Sequence, residues 1–460
     1  MPRATAKPTA RSKSTHRPGR RPVVTAIQWV FPVAGAPLSW LEADRVLLGR
    51  DDDCDAVLPS DEISRHHAEI VKGRQGWVLR DLGSTNGIYA NGLRVTEAEI
   101  EPGTLVRLGD WIGVVTQAPR DQAARPFGEV APGLFGGPTL ASALAPLGSV
   151  APSDLSVIVE GETGTGKERV AAALHAMSGR TGSFLAVNCA ALPASLAEAE
   201  LFGYRKGAFT GADRSSPGYF REAHQGTLLL DEIAELQPVV QAKLLRVIEQ
   251  REVLPLGEAR AVPVDVRVVA AAQRPLDACV AAGDFRADLL ARLDGLTLRL
   301  PPLRERIEDV PFLTSHFVHV HATGDPPALD AGLVERLCLH DWPFNVRELL
   351  QLVRRLLVLH GREPFLRRAH LPEKMLAAGA LGRDSTVPNA GAAKGTAGRA
   401  PRVRGHARDR SDVQKLAGLL RTNGGNVAQA ATEIGISRQR AYRPLEQHPE
   451  VDLGKLRDGE

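Results

Sequence analysis

Two short stretches hold the residue types that phosphate chemistry needs. Residues 161–168 read GETGTGKE. Gly161, Gly164 and Gly166 let backbone come close to a polyphosphate, and a helix starting here points free N–H groups at it. Lys167 adds a point charge for the terminal phosphates, with Glu162, Thr163 and Thr165 filling the loop. Residues 226–232 read GTLLLDE, an apolar run ending in two carboxylates. Asp231 is the residue to hold Mg²⁺, and Glu232 the one to orient and activate an attacking water. Glu168 stands where a P-loop usually has a hydroxyl, so that Mg²⁺ ligand is missing and Asp231 with waters must suffice. Together the stretches imply hydrolysis of ATP.

The surrounding sequence supplies the elements that would position them. An apolar run at 157–160 precedes the loop and an alanine-rich segment at 169–177 follows it, which predicts strand, turn and helix. Further strands are expected at 183–189, 226–230 and 264–270. Residues 131–310 alternate strand and helix patterns, the signature of an α/β domain with a mostly parallel sheet. Helical periodicity over 311–378, including 331–339 and 346–359, predicts a small helical lid.

Residues 23–117 follow a different pattern. Runs rich in Val, Ile, Leu and Trp at 26–31, 45–48, 68–71, 77–80 and 105–115 are separated by Gly, Asp and Asn turns. Such spacing predicts an all-β sandwich. Gly49-Arg50, then Ser64-Arg65-His66-His67, then DLGSTNG at 81–87, then Asn91-Gly92 stand in order. This segment resembles the forkhead-associated (FHA) domain, a phosphothreonine-binding sandwich. The resemblance implies that Arg50, Ser64, Thr85 and Asn86 hold the phosphate and the peptide backbone, and that His67 braces the loops. An arginine fork, hydroxyls and an amide suit that ligand. The plainer reading, that the Asn-Gly pairs are only hairpin turns, does not account for four blocks in sequence.

Around the phosphate loop the resemblance is more specific. GETGTGKE, Asn188-Cys-Ala-Ala191, Glu200-Leu-Phe-Gly203, GAFTGA at 207–212 and GTLLLDE occur in this order. Residues 134–371 resemble the AAA+ domain of bacterial enhancer-binding proteins, which activate the sigma-54 form of RNA polymerase. That resemblance implies that Gly207, Ala208, Phe209, Thr210, Gly211 and Ala212 form a loop, inserted in a helix, that touches sigma-54. It assigns Arg286 and Arg292 as arginine fingers reaching a neighbouring subunit, hence a homo-oligomer, a hexameric ring when active. It makes Asn188 a restraint on Glu232, Gln273 the sensor in place of the family's asparagine, and Arg347 the nucleotide-sensing arginine of the lid. Phe344 stands where a glycine is usual. Gln273 keeps the amide but reaches one methylene further, which predicts altered turnover.

The remaining segments are polar. Residues 1–22, mainly Arg, Lys, Pro, Thr, Ser and Ala, and 379–410, dominated by Gly, Ala, Pro and Arg, are expected to be disordered; residues 118–130 read as a linker. Residues 411–460 return to a helical pattern, and within them Gly425-Asn-Val-Ala-Gln-Ala-Ala431 and Ile434-Gly-Ile-Ser-Arg-Gln-Arg-Ala-Tyr-Arg443 resemble the Fis-type helix-turn-helix that ends this family. Ser437 would cap its last helix, and Ser437, Arg438, Gln439, Arg440 and Arg443 would meet upstream enhancer DNA. Pro444 removes a hydrogen bond where that helix normally continues.

Bulk composition sets the outer bounds. The 460 residues carry 57 Lys+Arg against 54 Asp+Glu, a net charge of +3 too small to identify a nucleic-acid binder. No apolar run reaches membrane-spanning length. Four scattered cysteines have no metal spacing and fit reduced thiols in a bacterial cytoplasm. The leading expectation is an ATP-hydrolysing transcription activator whose input is a phosphothreonine, on a partner protein or on Thr5, Thr9 or Thr15 of its own tail. The alternative is a phosphopeptide-binding AAA+ scaffold with weak or no ATPase activity, resting on Gln273 alone. An unfoldase or helicase would need a substrate pore motif in place of GAFTGA.

Overall fold

The computed structural model describes residues 23–32, 38–74, 76–119 and 127–377. All belong to the first of two compact units, residues 1–383. The expected helix-turn-helix, with Ser437, Arg438, Gln439, Arg440 and Arg443, lies outside the described residues, as do both expected polar tails.

Residues 23–119 form a two-sheet sandwich of eleven strands. One sheet runs β2 (Ser39–Trp40), β1 (Val23–Phe31), β11 (Trp111–Pro119), β10 (Leu105–Leu108), β7 (Ile88–Ala90), β8 (Leu93–Val95). The other runs β4 (Ala56–Val57), β3 (Arg45–Gly49), β5 (Ala68–Lys72), β6 (Trp77–Asp81), β9 (Glu97–Ile100). Alternation with period 2 sends Ile27, Trp29, Val106, Leu108, Trp111 and Val115 into the core between the sheets. Trp29 and Trp111 meet there edge to face at 5.7 Å. The run at 105–115 is two strands, because Gly109 takes φ +53 and turns the chain.

The expected linker at 118–130 is shorter. Residues 118 and 119 continue β11 against β1, and 128–131 form β12 (Gly128–Ala131), paired with β13 (Leu134–Gly136). Short helices α1 (Pro138–Ala143) and α2 (Leu147–Val150) follow.

The next domain is built on five parallel strands in the order β15 (Phe184–Asn188), β16 (Thr227–Asp231), β19 (Arg267–Ala272), β14 (Val157–Glu160), β20 (Leu296–Arg299). All residues of β14 and β19 are buried, as strands covered on both faces require. One face, with Leu228, Leu230, Val268 and Ala270, is covered by α4 (Ala197–Phe202), α6 (Pro238–Gln250), α7 (Leu276–Ala282) and α8 (Ala287–Leu293). The other, with Val157, Val159, Leu229 and Val269, packs on α1, α2 and α3 (Lys167–Ser178). Helix α5 (Tyr219–Glu222) precedes β16, and a small ribbon, β17 (Glu252–Val253) with β18 (Val262–Pro263), follows α6.

The lid consists of α9 (Asp309–His321), α10 (Ala331–Cys338) and α11 (Asn345–His360), closed by α12 (Glu373–Ala377). Its core holds Leu313, Leu333, Leu337, Trp342, Leu349 and Val353.

Candidate functional site

Parallel sheets place ligands at the carboxyl ends of their strands, and here both chemical stretches leave from that edge. The phosphate loop follows β14, and Asp231 ends β16 with Glu232 directly after it. Gln273 follows β19, which lies between those two strands.

The loop is shaped by its glycines and held by side chains around it. Gly164 (φ +80) and Gly166 (φ +109) adopt left-handed backbone. A Cβ at Gly164 would stand 2.2 Å from the Phe344 carbonyl oxygen, so the lid closes against the loop backbone itself. The Thr165 hydroxyl donates to Glu162 O at 2.8 Å, and Lys167 Nζ donates to Gly161 O at 2.9 Å. Lys167 is largely buried and its Nζ lies 3.9 Å from Glu232 Oε1, so lysine and acid face one space. Glu168 is exposed on the first turn of α3.

Asp231 Oδ1 accepts from the Glu232 N–H at 3.1 Å. Glu232 itself sits at φ +53, ψ +45, a left-handed conformation that costs a non-glycine residue energy and often marks functional sites. Asn188 is the register partner of Asp231 on β15. Its Oδ1 accepts from Ala190 N at 2.9 Å and caps a short turn. Burial, with Asp231 and Glu232 nearby, pushes the Cys189 thiol up to about 12. All four cysteines are free and buried.

Three residues that motif reading did not single out hold the loop. Asn345, fully buried at φ +52, donates through Nδ2 to Thr163 O at 3.0 Å and to Glu162 Oε2 at 3.2 Å, and accepts from Leu303 N at 2.7 Å. Arg304 grips Glu162 with two bonds of 2.8 and 2.6 Å. Those bonds hold the Glu162 carboxyl below its ordinary range. Arg306, 1% exposed, donates to Thr165 O at 3.2 Å and pairs with the buried Asp309. Burial pushes Asp309 up to about 7, against the pull of Arg306. Asn345 lies inside the Trp342–Arg347 motif, and asparagine's tolerance of left-handed backbone was the available signal. Arg347, exposed on the first turn of α11, has its Cβ 3.0 Å from the position a Gly164 Cβ would take. Phe344 has φ −112, so this position does not require glycine.

Among the described residues, no hydrogen bond or ion pair joins Arg286 to this phosphate loop; its bonds go to Gln241 and Asp288. Arg286 caps α8 and is paired with Asp288 at 2.7 Å. Arg292 lines a cavity with Asp154, Ser156 and Gly295, near the start of β14 and so at the opposite end of the sheet from the loop.

GAFTGA lies in a loop interrupting a helical stretch between α4 and α5. Two glycines pinch its neck: a Cβ at Gly218 would be 2.2 Å from Gly203 N, and one at Gly203 would be 2.4 Å from Pro217 O. Tyr204 and Ser216 exchange backbone hydrogen bonds of 3.0 and 2.9 Å just above. Gly207 N donates to Ala212 O at 2.9 Å, closing the tip. Phe209 packs on Tyr204 with ring centroids 5.0 Å apart, while Thr210 and Gly211 are exposed.

On the sandwich, Arg50, Ser64, Thr85 and Asn86 come together on adjacent loops. Ser64 Oγ accepts from Thr85 N at 3.1 Å, Arg50 N donates to Ser64 O at 3.0 Å, and Asn86 Nδ2 donates to Glu62 O at 2.8 Å. Arg50 also reaches Asp61 at 3.1 Å, and its side chain remains accessible. His67 is completely buried. Its Nδ1 accepts from Ser64 N at 3.1 Å, so Nε2 carries the proton toward Gly87 O at 3.2 Å. It braces two loops, and burial lowers its pKa.

This fold and site define a chain with an FHA sandwich ahead of a P-loop AAA+ domain and its lid. Residues 46–109 match the FHA domain family, residues 136–299 the Sigma-54 interaction domain, and residues 304–387 the AAA+ ATPase lid domain. The chain is 42% identical over 305 residues to the C4-dicarboxylate transport transcriptional regulatory protein DctD of Rhizobium meliloti, covering 65% of this chain and 60% of that protein. It is 47% identical over 232 residues to the sigma54-dependent transcriptional activator SfnR of Pseudomonas putida, covering 50% of this chain and 63% of that one. The chain thus spans under two thirds of the length of these relatives. NtrX from Brucella abortus, solved in complex with ADP, superposes with a TM-score of 0.50 at 30% identity over 70% of each chain. The chain therefore carries a sigma-54 interaction domain joined to an FHA domain. No helix among the described residues is long and apolar enough to cross a membrane.

Proposed function

We propose that the chain is an ATP-hydrolysing activator that remodels sigma-54 RNA polymerase. The observation that carries this reading is the convergence of Lys167, Glu232 and Gln273 on one sheet edge, in a domain that also presents an exposed GAFTGA tip. The residues fit the nucleotide they would hold: free N–H groups open α3, Lys167 lies beneath, and Asp231 offers an oxygen ligand for Mg²⁺. That ion, when bound, neutralises charge on the transferred phosphoryl group. Glu232 positions and deprotonates the attacking water, Gln273 orients it from β19, and Lys167 holds the terminal phosphate oxygens. Asn188, beside Asp231, restrains Glu232 until the site is engaged.

Arg286 and Arg292 complete the site of a neighbouring subunit in a hexameric ring; the placement of Arg292 near the start of β14, away from this subunit's own loop, supports action in trans. Arg347 senses the nucleotide from the lid. The loop 207–212 moves against sigma-54, the C-terminal segment grips enhancer DNA, and Arg50, Ser64, Thr85 and Asn86 receive a phosphothreonine input. ATPase assays test the chemical step. Glu232→Gln is expected to bind ATP and lose hydrolysis; hydrolysis at the wild-type rate would reject this assignment of the base.

A further inference from the structure

The outer face of the six-stranded sheet is not a solvent face. Val30 on β1, Leu105 on β10, and Ile112 and Val114 on β11 point away from the sandwich core and are buried in the lid's own core, with Val310, Leu333, Val334 and Leu337. Strand β1 packs on α9, and β10 and β11 pack on α10. A sheet covered on one side only would carry polar residues at these positions.

An ion pair spans this seam. Arg107, between Val106 and Leu108 on β10, lies 2.9 Å from Glu335 Oε2 on α10, with side-chain exposures of 14% and 6%. The guanidinium also stacks 3.5 Å over the Tyr89 ring and donates to Gly109 O at 3.1 Å. Burial pushes the Glu335 carboxyl up, and Arg107 opposes that shift. At the rim, Gly92 abuts Leu339: a Cβ there would be 2.6 Å from Leu339 Cδ1. The Asn91-Gly92 turn and the Asn86-Gly87 turn sit at opposite ends of β7. Arg50, Thr85 and Asn86 therefore stay exposed while the sandwich is seated.

From α10 the connection to the phosphate loop is short. The chain passes through buried Trp342 to Asn345, which bonds Thr163 and Glu162. We infer that the sandwich is seated on the lid as a fixed part of it, and that this seat, keyed by Arg107 and Glu335, holds the lid against the phosphate loop and raises its affinity for nucleotide. The inference rests on reading that loop as the nucleotide site. By linkage, whatever weakens the seat weakens nucleotide binding, and nucleotide tightens the seat by the same factor.

Charge reversal and rescue test this in the full chain, with ADP as the probe. Arg107→Glu places two carboxylates together in the seam. It is expected to raise hydrogen exchange on α10 and β10 and to raise the Kd for ADP at least about fivefold, the low end of typical coupling between sites. Glu335→Arg alone should do the same, and the double variant Arg107→Glu/Glu335→Arg should restore most of both. Faster exchange on α10 with an unchanged ADP Kd would overturn the inference, as would single variants that match wild type in both readouts. A wild-type chain that fails to bind ADP would instead overturn the nucleotide-site reading, and this inference with it.

Discussion

Asn345 Nδ2 donates to the carbonyl oxygen of Thr163 at 3.0 Å, so the first residue of the lid's long helix is bonded to the backbone of the phosphate loop. The same side chain accepts from Leu303 N and reaches Glu162. One amide thus ties the loop, the connector after β20 and α11 at a single point. Lid and loop cannot separate without breaking it.

Asn345→Ala leaves Leu303 N–H and Thr163 C=O without this partner in a buried site, at a cost of about 1–3 kcal/mol. The expected outcome is weaker nucleotide binding and a lower unfolding midpoint. Asn345→Asp, which keeps the acceptor but loses the donor and faces Glu162, should weaken nucleotide binding at least as much. Titration with ADP alongside urea unfolding checks both.

His67 makes the sandwich pH-sensitive. Its folded pKa lies below the ordinary 6.5 because burial disfavours the charged ring. The stability it contributes is fully present above pH 6.5 and is lost as pH falls from there through the lower folded value. Protonation also removes the Nδ1 acceptor from Ser64 N, which loosens the loop carrying Ser64. Trp29, Trp40, Trp77 and Trp111 all lie in the sandwich, against Trp342 alone elsewhere, so tryptophan fluorescence reports chiefly on this domain. The urea midpoint it gives should fall between pH 7.5 and 5.5, and His67→Asn, which does not titrate, should show a shallower fall.

Gly218 closes the neck of the GAFTGA loop. With φ +75 and a Cβ that would meet Gly203 N at 2.2 Å, Gly218→Ala forces the two backbone strands apart. A loss of more than about 1 kcal/mol is expected, with faster protease cleavage between residues 204 and 216. Gly211→Ala, where nothing lies within 4 Å, carries only the strain of its own φ and should leave the neck closed.

The chemistry-bearing stretches were the most legible part of this sequence, because their residue types are demanded by the ligand. GETGTGKE between an apolar run and an alanine-rich run admits few other structures, and the structure has strand, loop and helix there. Strands β1, β3, β5 and β6 of the sandwich were legible for a similarly local reason, runs rich in Val, Ile, Leu and Trp between Gly, Asp and Asn turns. What the local pattern hid was long-range. Val30, Ile112 and Val114 face away from the sandwich core, and their packing on the lid is not visible in the strand pattern. Gly109 inside an apolar run concealed a hairpin between β10 and β11. The boundary near 118–130 was misplaced because Gly128 and Pro119 look like linker residues yet lie in strands. Arg304 and Arg306 are ordinary cations in sequence, and their grip on Glu162 and Thr165 depends on folding across more than a hundred residues.

In the proposed function, hydrolysis at Glu232 drives the Thr210 tip against sigma-54, and one comparison separates the chemistry from the contact. Thr210 is exposed at the tip of its loop, so Thr210→Ala should hydrolyse ATP at close to the wild-type rate. The measurement is promoter opening by sigma-54 RNA polymerase, made in parallel with ATPase rate, for wild type and Thr210→Ala. The expected result is retained ATPase with promoter opening reduced at least about tenfold, which corresponds to about 1.4 kcal/mol or more. Undiminished opening by Thr210→Ala at full ATPase rate would contradict it.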